Sequence, residues 1–94
     1  MKLDPVINNI KNKFGDKYIP VKLVEEMAEL THPLCKQIMG TTSFNPEKVL
    51  EEIAHVKVFI ELYETSLSEN DREKIKLYTD IRITKINCKC NEKS

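Results

Sequence analysis

Glycine is almost missing from this chain, with 2 residues in 94. No Asn-Gly or Asp-Gly pair offers a tight hairpin turn, and only Ile81-Arg82-Ile83 alternates like a strand. These absences disfavour a β-sheet fold, and the chain reads as all-α. No run of about 18 apolar residues is present for a membrane span. The segment Met1-Lys2-Leu3-Asp4-Pro5 has no apolar signal core. The 3 cysteines, Cys35, Cys88 and Cys90, are too few and too odd a number for a disulfide framework. They point to reduced thiols and a cytoplasmic setting. Cys88-Lys89-Cys90 lacks a second pair or a nearby histidine, which argues against zinc. Net charge is also missing, since 15 basic residues balance 15 acidic ones. That disfavours a dedicated nucleic-acid or acidic-surface binder. No repeat of solenoid length and no low-complexity linker divides the chain, so residues 1–94 form one domain. A core this small buries only about 60–65% of the unfolded surface. Oligomerisation is one remedy for such a shortage.

The chain does contain well-punctuated helices. Asp4 and Pro5 form a cap and first-position pair, and Gly15 can end that short helix with positive φ. Pro20 opens a second helix that runs toward Met39 and stops at Gly40. Asn45-Pro46-Glu47 repeats the cap, proline and acid pattern for a third helix reaching about Thr65. Ser68 with Asp71 three residues on resembles a capping box and starts the fourth. Pro33 is expected to kink or interrupt the second helix, because it removes a donor and crowds the preceding turn. The β-branched Ile81 and Ile83 weaken the fourth, and Cys90 to Ser94 read as a frayed end.

Charge is distributed unevenly along these helices. From Glu25 to Glu64 there are eight acids against Lys36, Lys48 and Lys57, whereas from Arg72 onward seven basic residues face three acids. This pattern fits either two solvated helix faces or an acidic metal site with a basic partner for phosphates. Leu23, Met27, Leu30, Leu34 and Ile38 form an apolar stripe on the second helix. Val49, Ile53, Val56, Ile60 and Tyr63 form one on the third. At roughly 100° per residue, Glu26 lies about 60° and Glu29 about 120° from Leu23; Glu52 and His55 hold the same offsets from Val49. If the stripes pack together, these four side chains can converge from facing helices. Carboxylates gathered at a core margin repel one another and lose hydration, a conflict that a divalent cation removes. Hard oxygen ligands suit magnesium, and i, i+3 pairs on facing helices hold metals in other bundles. Spacing alone favours exposed glutamate-rich faces over a metal site.

Glu25-Glu26-Met27-Ala28-Glu29-Leu30, followed by Glu52-Ile53-Ala54-His55, resembles the E-E-x-x-E … E-x-x-D signature of the MazG-like, all-α nucleotide pyrophosphohydrolases. The wording is nearest to small stand-alone members of bacterial or phage type, and the resemblance covers Val21 to about Arg82. It implies a four-helix MazG-like bundle completed as a homodimer or homotetramer, with Mg2+ in each acidic site. It also implies hydrolysis of (deoxy)nucleoside triphosphates to monophosphate and pyrophosphate. Glu26, Glu29, Glu52 and position 55 would be the metal ligands, and Glu25 would either support those ligands or act as a base orienting the attacking water. Lys76 and Arg82 could screen the triphosphate charge, or could be solvated surface.

One position departs from the signature. His55 stands where the family has aspartate, which removes a negative charge and favours Mn2+ or another transition metal over Mg2+. His55 can ligate, point away and leave three carboxylates, or mark a catalytically degenerate nucleotide-binding or protein-interaction relative. Asp80 could supply a replacement acid, and His32 beside Pro33 reads as a surface residue at a helix break. An unrelated helical interaction module is a third reading.

Overall fold

The computed structural model describes residues 2–92, and Lys93 and Ser94 of the expected frayed end lie outside them. Four helices succeed one another, with no strand among the described residues: α1 (Asp4–Phe14), α2 (Tyr18–Met39), α3 (Pro46–Thr65) and α4 (Glu69–Cys90). The chain is thus all-α, and Ile81-Arg82-Ile83 is helical. Chain punctuation explains most boundaries. Gly40 takes the left-handed conformation (φ 65°, ψ 34°) that closes α2. Asn45 accepts a hydrogen bond from the Glu47 N–H at 3.1 Å, and Ser68 accepts one from the Asp71 N–H at 3.1 Å. Gly15 breaks α1 with φ 90°, and the rings of Phe14 and Tyr18 stack across this break at 4.4 Å.

Three local expectations are corrected. Asp4 is the first residue of α1 rather than its cap; Leu3 precedes it without a side-chain hydrogen bond. There the Asp4 carboxylate still meets the positive end of the helix. α2 starts at Tyr18, so Pro20 falls within its first turn, where an absent N–H leaves no helical bond unmade. Pro33 does not end the helix, which continues to Met39 with the proline ring buried. An interior proline costs about 3 kcal/mol in an isolated helix. Here burial of its apolar ring, and twenty-one other helical residues in one continuous element, offset that cost.

α2 and α3 form an antiparallel hairpin across the short Gly40–Asn45 connection. Ile19 packs in one cluster with Leu62, Glu26 meets His55, and Pro33 shares a cavity with Lys48. Numbers rise along one helix as they fall along the other. Ile7 of α1 joins Ile19 and Leu62, with Leu3, Ile10 and Phe59 around them.

The contact faces differ from the expected apolar stripes. Met27, Ile38, Ile53, Ile60 and Tyr63 are exposed. The covered line instead runs through Ile19, Leu23, Glu26, Leu30 and Pro33 on α2, and through Val49, Glu52, Val56, Phe59 and Leu62 on α3. On a helical wheel this is a rotation of roughly 40–60°. It brings Glu26 and Glu52 from the margin into the helix contact.

α4 buries no side chain. Its apolar residues fall in two groups: Ile75, Tyr78, Ile83 and Ile86 within about 140°, and Leu77 and Ile81 about 200–240° from Ile75. A single chain exposes 7777 Å², whereas a folded monomer of 10.9 kDa exposes about 5,600 Å². Its radius of gyration is 16.9 Å, against about 12.4 Å for a compact domain of this length.

With so few buried side chains, each matters. Leu62→Ala is expected to lower unfolding free energy by about 2–4 kcal/mol, read by urea denaturation at fixed protein concentration. A loss below about 1 kcal/mol would show that the Ile7–Ile19–Leu62 cluster is not the core.

Candidate metal centre

The rotated contact explains why four polar side chains meet. Glu26 and Glu29 occupy successive turns of α2, and Glu52 and His55 successive turns of α3. One ligand atom from each lies within 4.8 Å of all the others. Two ligands opposite each other on a cation at 2.0–2.1 Å are about 4.2 Å apart, so only small side-chain rotations separate this arrangement from coordination. The side chains of Glu52 and Glu26 are 3% and 12% exposed.

Burial leaves an unresolved demand. Oε2 of Glu26 and Oε2 of Glu52 are buried and accept no hydrogen bond. His55 Nδ1 lies 3.4 Å from the first and 3.6 Å from the second. Two buried carboxylate oxygens therefore sit beside an imidazole nitrogen with no hydrogen bond satisfying them, which is an environment a cation relieves. His55 faces into the cluster rather than away from it. The donor set, three carboxylates and an imidazole, suits Mn2+ or a similar divalent ion as well as Mg2+.

Charges beside the cluster are partly compensated. Lys48 Nζ lies 3.1 Å from Glu52 Oε1. The hydrogen bond and charge of Glu52 push the Lys48 ammonium above its ordinary pKa, so it stays protonated. The Glu29 carboxyl is pushed above its usual value, first by the Glu26 carboxylate, then by lost hydration and by Glu52.

Other candidates lie elsewhere. Glu25 points to an exposed ion pair with Lys22 at 2.9 Å and is not one of the four converging residues. Among the described residues no ion pair joins Lys76 or Arg82 to the cluster; Arg82 lines a groove made by α4 residues alone. Asp80 does not join the four. Cys35, Cys88 and Cys90 are exposed free thiols. Two residues near the acids carried no site role in the sequence: His32, read as a surface residue and indeed exposed, and Lys48, counted only among the lysines of the acidic stretch. Lys48 and His32 line a cavity of about 520 Å³ with Ala28, Glu29, Pro33 and Glu52. Their spacing carried the signal: Lys48 precedes Glu52 by four residues, and His32 follows Glu29 by three.

No protein-family model, curated protein or solved structure matches the chain. No helix among the described residues is long and apolar enough to cross a membrane.

Binding of Mn2+ or Mg2+ is expected to raise the melting temperature. At a hundredfold excess over Kd the gain is about 2.7 kcal/mol. Glu52→Gln should abolish most of this gain, and an identical metal response in wild type and variant would remove Glu52 from the site.

The raised Glu29 pKa has a definite sign. The folded, metal-free chain takes up this proton at higher pH than the unfolded chain. Stability should therefore rise as pH falls from neutral through the raised value, levelling off below the ordinary value of 4.5. Protons compete with the cation over the same window, so metal affinity should fall. Titration calorimetry at several pH values, paired with metal-free melting curves, measures both trends; metal affinity that is flat with pH would contradict the assignment.

Proposed function

We propose that the chain is a metal-dependent nucleoside triphosphate pyrophosphohydrolase of MazG-like type. The observation that carries the reading is the convergence of Glu26, Glu29, Glu52 and His55 around two buried, unsatisfied carboxylate oxygens. Purely solvated glutamates would be neither buried nor turned toward one another. In this reading those four residues hold Mg2+ or Mn2+. Such an ion would polarise a phosphate and lower the pKa of bound water. Glu25 leaves Lys22 to accept a proton from the water that attacks the α-phosphorus. The α–β anhydride breaks, and the products are a nucleoside monophosphate and pyrophosphate. The substrate-screening role assigned to Lys76 and Arg82 requires α4 of another copy to approach the cluster.

The same reading makes the protein a homodimer or homotetramer of the cytoplasm. Its support is the roughly 2,200 Å² that each chain exposes beyond a monomer's share, a per-chain area of the order found in obligate assemblies. Apolar stripes on both sides of α4 supply surface for two contacts. Light scattering should give two or four times 10.9 kDa. A monodisperse monomer at micromolar concentration would remove the oligomer from the proposal.

A second reading has its own support in His55. A protonated imidazole between Glu26 and Glu52 is itself a cation, and it would make the cluster a metal-free, catalytically degenerate nucleotide-binding or interaction module. Pyrophosphate release from a (deoxy)nucleoside triphosphate panel, assayed with Mg2+ and with Mn2+, decides between them. Turnover by the wild-type chain is expected, with greater activity in Mn2+. Glu25→Gln should reduce kcat by about 10²–10⁴-fold, as removal of a general base does. No release with either metal, together with large activation by His55→Asp, would establish the degenerate reading.

A further inference from the structure

The cavity beside the metal cluster changes character along its walls. Glu29 and Glu52 belong to both, so the cavity opens directly on the acids. One turn further along α2 stands His32, and one turn back along α3 stands Lys48, with Ala28 and Pro33 between them as apolar wall. At about 520 Å³ the space is within the range of small-molecule sites.

Local helix energetics do not account for Lys48. It lies in the first turn of α3, after the Asn45 cap and Pro46, at the positive end of the helix dipole, which disfavours a cation. Its pairing with Glu52 runs lysine before glutamate, the weaker order for an i, i+4 pair. Its ammonium touches only one of the two Glu52 oxygens; the other is turned to the cluster. Glu51 Oε2 lies at 4.0 Å, beyond hydrogen-bond distance, and the half-exposed ammonium keeps donors that can turn to a ligand.

Resting on the proposed nucleotide reading, we infer that Lys48 on α3 and His32 on α2 seat the pyrophosphate end of the substrate. Lys48 binds non-bridging oxygens of the outer phosphates while the cluster takes the phosphate nearest the sugar. The site therefore selects polyphosphate esters over monophosphates, and the basic residues nearest the chemistry belong to the same chain as the acids.

Lys48→Met, Lys48→Arg and His32→Ala in the full chain test this, with helicity checked by circular dichroism. Binding of Mn2+ alone and of inorganic pyrophosphate, with and without Mn2+, is measured by calorimetry. Lys48→Met is expected to hold Mn2+ within threefold of wild type or more tightly, since a competing cation is removed. It should weaken pyrophosphate binding at least tenfold and raise KM for a triphosphate far more than it changes kcat. Lys48→Arg should restore pyrophosphate binding to within threefold, and His32→Ala should lose at least threefold. If Lys48→Met instead loses Mn2+ affinity with pyrophosphate binding unchanged, Lys48 merely orients Glu52 and the inference is overturned. Wild-type protein that binds no Mn2+ would sink the metal reading, and the metal-free pyrophosphate titrations then decide the seat by themselves. Absence of pyrophosphate binding under both conditions overturns it.

Discussion

Burial of Glu26 and Glu52 in the α2–α3 contact is the constraint on which the rest of this structure depends. A helix hairpin with so short a chain would ordinarily fill that contact with aliphatic side chains. Here two carboxylates occupy its middle, each with an oxygen that no donor reaches. Leaving a buried acceptor unpaired costs about 1–3 kcal/mol, and more when it is charged. Ile7, Ile19 and Leu62 at one end, and Pro33 on α2 at the other, must hold the helices together against that cost. A site for a cation, or for the imidazolium of His55, gives the arrangement its physical sense.

The compensation around the cluster is graded. His55 faces the two buried oxygens, Lys48 holds the outer oxygen of Glu52, and Glu29 remains exposed at the cavity mouth. A charge of either sign can thus be met within a few ångströms. The inward carboxylate oxygens offer acceptors to a cation, and the Lys48 ammonium offers donors to an anion. This polarity along one cavity is what a ligand carrying both metal and phosphate requires. It arises because helical spacing places residues three and four apart on one face.

Core shortage and site construction are linked. Carboxylates in the hairpin contact displace apolar residues, and many apolar side chains of α2, α3 and α4 are left exposed. The exposed Met27, Ile53, Ile60 and Tyr63 were expected to face inward, and the helix rotation that exposes them is the same rotation that buries the acids. A second copy covering those faces would add the hydrophobic contribution that the single chain lacks, without disturbing the cluster.

Much of the architecture was legible in the residues. Gly15, Gly40, the Asn45-Pro46 pair and Ser68 mark helix boundaries by local chemistry, through positive φ, fixed φ and side-chain caps, which act within a few residues. The i, i+3 acids and His55 were legible for the same reason, since spacing along a helix defines a face. Legibility stopped where the answer depended on another element. Pro33 predicts a break by its own chemistry, yet α2 continues because the ring is buried. The apolar stripes predict a packing face, yet the helices meet rotated from it, since a contact must satisfy both partners and the α1 end at once. By itself, then, the sequence determined four helices and which polar residues share a face, because those follow from local backbone geometry. Tertiary structure alone decided that Glu26 and Glu52 are buried, that His55 turns toward them, and that Lys48 and His32 share their cavity. Those facts depend on how one helix is rotated against another, and no single helix contains that information.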